Sequence, residues 1–456
     1  MNASSDTIIA QCTPAGNGAI ALIRLSGNNA FVVATAISRL VSENTIATCA
    51  THTIQYGWVV SSTGIIIDQV LFLLMRAPRT FTGEDTIEIT CHNNPFIIEA
   101  IIEQALLQGA RLAKEGEFSQ QAFLNGKIDL IQAEAINELI HASTQMALRQ
   151  SLSQLEGSFS QWITVLEKQL LKALALSEAS FEFLDEEMEF GPQIQEIIQY
   201  LMHSIATIKA TFNQQQQIRQ GIRITLIGAV NAGKSSLFNT LLKQNRAIVT
   251  DIPGTTRDSI EAGMYKNGTY ITLIDTAGLR HTDDIIEKEG IERSFAQASQ
   301  ADIIIVVYDG SRAMTGEEYE TYQSLIKAYS HNIIVLHNKA DIPYSNANPL
   351  GYKDIIYVSS ATHYNISRLE TALEHTIEKL YKTIESPFLL NQRQHKLLVS
   401  LEKKLSIIQE MLMHTISYEL LPYHLTEALQ DLSELSGKTI TQKGMDAIFR
   451  EFCIGK

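Results

Sequence analysis

The chain has 456 residues, 36 of them basic and 50 acidic, for a formal net charge of −14. About three domains are expected at roughly 150 residues each, and 45% hydrophobic with 19% charged residues excludes a disordered chain. The acidic balance argues against a surface that grips nucleic acid unaided, and four scattered cysteines (Cys12, Cys49, Cys91, Cys453) argue against a zinc ribbon or disulfide scaffold.

The polar stretch Met1–Asp6 lacks the pattern of an export leader, so none is expected, and no apolar run approaches the roughly 20 residues that cross a bilayer; a cytoplasmic protein without a membrane span is expected. Residues 1–118 alternate short β-rich runs (Thr7–Cys12, Ala19–Leu25, Gln55–Val60, Gln69–Met75) with turn formers, and helical patches fall at Ala30–Leu40 and Pro95–Gln108. This predicts an α+β domain. Residues 119–217 nearly lack Pro and Gly over long stretches. Leu130, Ala133 and Ile136, then Leu166 and Leu170, then Ile194, Ile198, Leu201 and Ile205 recur at helical spacing.

Residues 218–381 alternate helical patterns with apolar runs at Ile222–Ile227, Ile271–Ile274, Ile303–Tyr308, Ile333–Leu336 and Ile355–Val358. Such runs fit strands of a parallel sheet buried on both faces. Residues 382–456 return to helical periodicity. The economical reading is a discontinuous all-α domain with an α/β domain inserted in it.

The strongest motif is Gly228-Ala229-Val230-Asn231-Ala232-Gly233-Lys234-Ser235, which follows a predicted strand and opens a predicted helix at Ser236. Glycines let the backbone wrap phosphates, and successive N–H groups and the helix N-terminus present positive potential. Lys234 reaches the β- and γ-phosphates in this motif and Ser235 coordinates Mg²⁺. Asp275-Thr276-Ala277-Gly278 then ends a strand; Asp275 suits the Mg²⁺ shell and the Gly278 N–H the γ-phosphate. Asn338-Lys339-Ala340-Asp341 ends a later strand, and the Asp341 carboxylate can accept from both N1–H and the N2 amine of guanine. Ser360-Ala361 follows the next strand and braces the base. In this order on strand ends, the motifs predict a Ras-like P-loop GTPase domain that binds GTP.

Many small GTPases place Gln after Asp-x-x-Gly to orient water; here that position is Leu279. The segment Thr250 to Asp258 is the natural switch loop, and Thr256 can complete the Mg²⁺ shell. Gly254-Thr255-Thr256-Arg257-Asp258, with Asp275 to Arg280 and Asn231, resembles the TrmE–Era–EngA group of potassium-dependent GTPases. The resemblance implies K⁺ where an arginine finger would sit, held by Asn231, Thr250, the Ile252 carbonyl and Thr255. Arg257 or Arg280 acting as an internal finger is the alternative.

The flanks narrow the resemblance to the MnmE (TrmE) family of tRNA modification GTPases. Ile286 to Arg293 looks like its second switch, which would make Glu287 the catalytic residue that orients water, with Glu289 and Glu292 as competing acids. Ile23 to Gly27, Phe81 to Asp85, Gly116 to Ser119, Ala122 to Ile136 and the terminal Phe452-Cys453-Ile454-Gly455-Lys456 also match. The resemblance implies that the N-terminal domain binds 5-formyl-tetrahydrofolate or a related folate through Arg24, Glu84, Lys127 and Lys456, and forms the homodimer. It also implies modification of C5 of the wobble uridine (position 34) of tRNA with an aminomethyl or carboxymethylaminomethyl group, alongside an MnmG-type flavin enzyme in a heterotetramer. Arg and Lys suit folate carboxylates and Glu the donor edge of a pterin. The apolar Phe-Cys-Ile predicts that the C-terminus docks, while Cys453 reads equally as a packed core residue. Two other readings are a regulatory switch like the ribosome-assembly GTPases, whose usual RNA-binding appendage is not seen here, and a folate enzyme carrying a regulatory GTPase.

Overall fold

A computed structural model describes residues 6–16, 18–182, 190–210, 212, 215, 219, 221–244, 260–266, 268–275, 295–296, 298–343, 348–382, 387–414 and 420–455. The chain divides into two compact units. One comprises Met1–Ile140, Leu152–Ile205 and Gln392–Lys456, the other His141–Ser151 and Ala206–Asn391.

In the first unit the N-terminal runs form β1 (Ile8–Gln11), β2 (Ile20–Ser26), α1 (Ala30–Ala36), β3 (Ser38–Leu40), β4 (Thr53–Val60), β5 (Ile66–Met75), β6 (Thr86–His92), α2 (Pro95–Leu107) and β7 (Arg111–Leu112). The seven strands lie in the order β3-β4-β5-β6-β2-β1-β7, and β7 runs parallel to β1. Strand alternation sends Ile23, Leu25, Phe72, Leu74, Ile87 and Ile89 to one face, where Phe31 and Val33 of α1 and Ile98 and Ile101 of α2 close the core. On the opposite face Ile54 and Tyr56 face Leu73 and Leu71, while Leu73 pairs with Glu88 and Glu88 with Arg24.

The helix expected over Ala30–Leu40 stops at Ala36, and Ser38–Leu40 pairs with β4 instead. Gly57 stands opposite Leu40, and a Cβ there would come within 2.5 Å of the Arg39 carbonyl. The edge of β4 thus accepts a close partner, and those ladder bonds outweigh one more helical turn. Strand β6 lacked a counterpart in the sequence reading, although Thr86-Ile87-Glu88-Ile89-Thr90-Cys91-His92 alternates cleanly.

Helices α3 (Glu117–Leu124), α4 (Leu130–His141), α5 (Gln145–Leu155), α6 (Ser158–Glu182) and α7 (Gly191–Lys209) follow. The predicted stripe Ile194, Ile198, Leu201 and Ile205 of α7 is buried. Helix α3 begins at Gly116, whose φ is +64°. A Cβ there would lie 2.4 Å from the Phe449 carbonyl, so both the left-handed turn and the close approach require glycine.

The second unit holds β8 (Ile222–Ile227), α8 (Lys234–Gln244), β9 (Ile260–Lys266), β10 (Thr269–Asp275), β11 (Ile303–Asp309), α9 (Gly316–Ala328), β12 (Ile333–Asn338), β13 (Ile356–Tyr357) and α10 (Ile366–Lys382). The strand order is β13-β12-β11-β8-β10-β9. Apolar strands between two helical layers form two cores, one with Leu237 and Leu241 of α8 and Leu369 and Leu373 of α10, the other with Tyr322 and Leu325 of α9. Every pairing is parallel except that of β9 with β10. Sequence reading placed no strand at β9, because Gly263 and the charged ends break its pattern.

Residues 141–151 and those from 206 on pack with this unit, whereas 119–140 and 152–205 belong to the first. Thr144 bridges Thr269, and the Gln145 N–H donates to the Gly268 carbonyl at 2.9 Å. These backbone bonds leave no trace in the helical periodicity. Helices α11 (Gln392–His414), α12 (Leu421–Leu435) and α13 (Gln442–Phe449) return to the first unit, where α12 packs on α6 and α11, and α13 on α3. Buried Glu134 accepts a two-pronged contact from Arg393 (2.7 and 2.8 Å) and one from Gln394 (2.7 Å), which satisfies the charge inside that helical core.

Candidate functional site

The phosphate loop runs from the end of β8 into α8. A Cβ at Gly228 would lie 2.1 Å from the Val307 carbonyl, and one at Gly233 (φ +95°) 2.1 Å from Asn338 Nδ2. Asn231 takes φ +62°, a conformation in which asparagine is enriched among side-chain-bearing residues. Val230, where proline is common, is fully outward, so its side chain does not shape the loop.

Lys234 is the first residue of α8 and 5% exposed. Its Nζ donates to the carbonyls of Gly228 (2.6 Å) and Ala229 (2.8 Å). Burial lowers its pKa, opposed by the Asp275 carboxylate at the end of β10. Ser235 and Ser236 are exposed at the helix start, and Asp275 is buried. The loop therefore folds its own carbonyls onto an ammonium with the Asp275 carboxylate nearby, and a glycine-bearing loop that leads into a helix N-terminus in this way suits a polyphosphate. The Ser235 hydroxyl and the Asp275 carboxylate are hard oxygen donors that fit Mg²⁺.

Asn338 is fully buried. Its Nδ2 donates to the Ala232 carbonyl at 2.8 Å, and its Oδ1 accepts from the Ser360 N–H (3.2 Å) and Oγ (3.3 Å). One side chain thus ties the phosphate loop, the end of β12 and the Ser360-Ala361 turn together. Asp341 is exposed beyond it. Lys339 takes φ +61° and its Nζ donates to Asp309 Oδ2 at 2.6 Å.

The sequence reading missed three supporting residues. Tyr322 Oη accepts the Ala229 N–H at 2.8 Å and so fixes the entrance of the phosphate loop; burial pushes its phenol up to about 12. Asp309 holds Lys339. Glu88 pairs with Arg24 at 2.8 Å. Each reaches its partner across strands or from a helix, so spacing along the chain carries no signal except the alternation that places Glu88 and Arg24 on one face.

Thr250, Ile252, Thr255, Thr256, Thr276, Ala277, Gly278, Glu287 and Lys456, all named from the sequence, lie outside the described residues. The remaining nucleotide-site residues, Asn231 to Ser236, Asp275, Asn338, Lys339, Asp341, Ser360 and Ala361, lie at or just beyond the ends of β8, β10, β12 and β13.

A second cluster lies on the seven-stranded sheet. Arg24 is 15% exposed, with its guanidinium 5.7 Å from the Phe81 ring centroid and 5.4 Å from that of Phe118. It is not a stray surface arginine. The turn that bears Glu84 is fixed by Thr80 Oγ1 donating to the Glu84 carbonyl (2.7 Å) and Asn125 Nδ2 to the Thr82 carbonyl (2.7 Å). Lys127 donates to the Pro78 carbonyl at 2.9 Å. Burial raises the Glu84 carboxyl despite a hydrogen bond from Asn125, and nearby Glu117 adds to the rise. Glu117 itself is buried; burial alone would raise its carboxyl, but a two-pronged contact from Arg111 (2.6 and 2.9 Å) and the Lys114 N–H hold it below the usual range. Arg24, from strand β2, and Lys127 thus both approach the turn that bears Glu84, the one at Phe81 and the other at Pro78 and Gly83.

The C-terminal segment docks as expected, through Phe452 and Gly455 but not through Cys453 or Ile454. Phe452 is buried against Phe449 and Met445, and a Cβ at Gly455 would lie 2.5 Å from the Gln11 carbonyl, while Ile454 and Cys453 are exposed. Cys453 is therefore not a packed core residue. No helix of the described residues is long and apolar enough to cross a membrane.

A six-stranded, mostly parallel sheet with phosphate-loop, Asp-x-x-Gly and Asn-Lys-x-Asp motifs at its strand ends defines a P-loop GTPase. Residues 130–453 match the family model for the MnmE helical domain, and residues 7–127 that for the GTP-binding protein TrmE N-terminus. The chain is 40% identical over 456 residues to a tRNA modification GTPase MnmE of Chlamydia pneumoniae, covering 99% of both chains. It is 37% identical over 461 residues to another of Thermoanaerobacter pseudethanolicus, with 99% of each covered. The solved G domain of the T. maritima FeoB iron transporter is 23% identical over 35% of this chain and 98% of that one, with a TM-score of 0.26. The chain belongs to the MnmE family of tRNA modification GTPases.

Proposed function

We propose that the chain couples GTP hydrolysis to wobble-uridine modification. The observation that carries the nucleotide half is the Asn338 brace, which ties the phosphate loop to the Ser360-Ala361 turn. On nucleotide binding, Lys234 exchanges its two carbonyl partners for the β- and γ-phosphates, and backbone N–H groups from Asn231 to Ser235 close round them. Ser235, Thr256 and Asp275 are the Mg²⁺ residues, with Thr276, Ala277 and Gly278 toward the γ-phosphate. Asp341 reads guanine, with Lys339, Ser360 and Ala361 around the base.

Asn231, Thr250, Ile252 and Thr255 are the K⁺ residues, and Glu287 orients the attacking water. A bound K⁺ supplies positive charge at the departing phosphoryl group, where other GTPases use an arginine. Leu279, in the place of the usual glutamine, supports this reading.

In the N-terminal domain Arg24, Glu84, Lys127 and Lys456 bind a folate such as 5-formyl-tetrahydrofolate. The cluster of the first three supports this. The partners are tRNA and an MnmG-type flavin enzyme in a heterotetramer, in the cytoplasm, and the product carries an aminomethyl or carboxymethylaminomethyl group on C5 of uridine 34. The sheet face with exposed Ile54 (63%), Tyr56 (49%) and Leu71 (40%) supports a homodimer through this domain, since large exposed apolar patches mark interfaces.

Analysis of tRNA from a deletion strain tests the whole reading. Unmodified wobble uridine, restored by the wild-type gene, is expected; an intact pattern with a ribosome-assembly defect would instead favour the regulatory switch.

The folate half predicts a pH dependence. An ionised carboxylate accepts only, as a pterin donor edge requires. Glu84, raised by burial, takes a proton earlier than an ordinary glutamate as pH falls. Binding of 5-formyl-tetrahydrofolate to the full chain should therefore weaken as pH falls, beginning above the range of an ordinary glutamate, and Glu84→Gln should bind weakly with that dependence gone. The same pH profile in both proteins would remove Glu84 from the site.

A further inference from the structure

We infer that Asp309 is the positioning residue for Lys339 in guanine-nucleotide binding, acting from a strand that bears none of the GTPase motifs. The inference rests on the nucleotide-site reading above and deepens it. The parallel register places Asp309, last residue of β11, beside Asn338, last residue of β12. Neighbouring strands lie about 4.8 Å apart, so a side chain as short as aspartate reaches the next residue, Lys339, and Asp309 Oδ2 meets its Nζ at 2.6 Å.

The carboxylate is itself held. Oδ1 accepts from the Ser311 N–H (2.9 Å) and Oγ (2.6 Å), and the side chain is 7% exposed. Burial alone would raise the Asp309 carboxyl, but the hydrogen bonds from Lys339 and Ser311 keep it below the usual range, so it stays ionised. Behind it, Gly310 leaves no room for a Cβ, which would lie 1.8 Å from His337 Cε1. His337 is wedged between the Tyr308 and Tyr357 rings, with centroids at 5.1 and 4.8 Å. Arg312 grips Glu318, which also closes the capping box of α9 with Thr315. Asp309 therefore stands on a rigid support.

Lys339 needs such a partner. Its backbone sits at φ +61°, which a side-chain-bearing residue adopts only where its surroundings dictate it. Its side chain has four rotatable bonds and remains 31% exposed. A free lysine ordered on binding costs roughly three- to tenfold in affinity. The charge-assisted bond to Asp309 orders it beforehand, on the same turn as Asp341.

Full-length protein with GDP as the probe tests this by a double-mutant cycle. Asp309→Asn should weaken GDP binding by roughly tenfold. In the Lys339→Met background the same change should cost nothing more, because Asp309 acts only through the lysine. Asp309→Glu should recover part of the loss. Should Asp309→Asn fail to fold, Ser311→Ala serves instead, with a loss of about two- to threefold that vanishes in the Lys339→Met background.

Single-variant affinity within about twofold of wild type, or losses that multiply in the double variant, would overturn the inference. Asp341→Asn, run alongside, separates the two levels. If it changes base preference while Asp309→Asn binds normally, the guanine site stands and Asp309 has no part in it. If it leaves base preference unchanged, both readings fall together.

Discussion

Replacing Asp341 with asparagine is expected to weaken GTP binding by on the order of 10⁴-fold and to turn base preference toward xanthine. The carboxylate accepts from N1–H and from the N2 amine of guanine. An amide turns its NH₂ toward that amine and sets donor against donor, whereas xanthine presents a carbonyl at C2 and pairs with the amide. The turn itself should survive. The Ala340 N–H donates to the Val358 carbonyl and the Ile342 N–H to the Lys339 carbonyl, each at 3.0 Å, and neither bond uses the Asp341 side chain. Asn338 beneath continues to bind Ala232 and Ser360. Competition of GTP against xanthosine triphosphate reads the outcome directly. Undiminished GTP affinity would mean that the base is read elsewhere.

Exchange of K⁺ for Na⁺ at constant ionic strength is expected to slow GTP hydrolysis by on the order of 10²–10³-fold, the loss typical of removing one stabiliser of transition-state charge. The chain has Leu279 where a glutamine commonly orients water, so hydrolysis depends more heavily on charge placed at the phosphates. Of the four proposed K⁺ residues only Asn231 lies within the described residues, at the crest of the phosphate loop with φ +62°. Nucleotide binding in Na⁺ should fall far less than turnover, since backbone donors and Lys234 hold the phosphates. Equal hydrolysis in the two salts would sink the potassium proposal and bring Arg257 and Arg280 forward as internal fingers, which single substitutions to alanine would then separate.

Much of the α/β unit was legible because its strands are buried on both faces. Ile222–Ile227 and Ile303–Asp309 are nearly continuous apolar runs, and motif residues at their ends fall into place once strand and helix are recognised. Edge elements were harder. Strand β9 is broken by Gly263, and β3 consists of three residues that continue a helical-looking stretch. Their identity depends on hydrogen bonds offered by a neighbouring strand, and no local pattern encodes that offer. Residues 141–151 show the same limit, since their bonds to the β9–β10 turn come from backbone groups that every residue type carries.

By itself the chain determined which residues could bind phosphate and guanine, because those chemistries demand particular residue types at fixed spacing: glycines where a backbone must come close, a lysine at a helix start, an aspartate two residues after the lysine of the base motif. Only the tertiary structure decided what holds them. Asn338 turned out to brace two loops, Tyr322 to fix the phosphate loop from a helix, and Asp309 to grip Lys339 from the adjacent strand. Arg24 likewise found Glu88 across the sheet. These partners are 22 to 106 positions apart along the chain; hydrogen bonds act over about 3 Å, and which atoms come that near is set by packing and strand register.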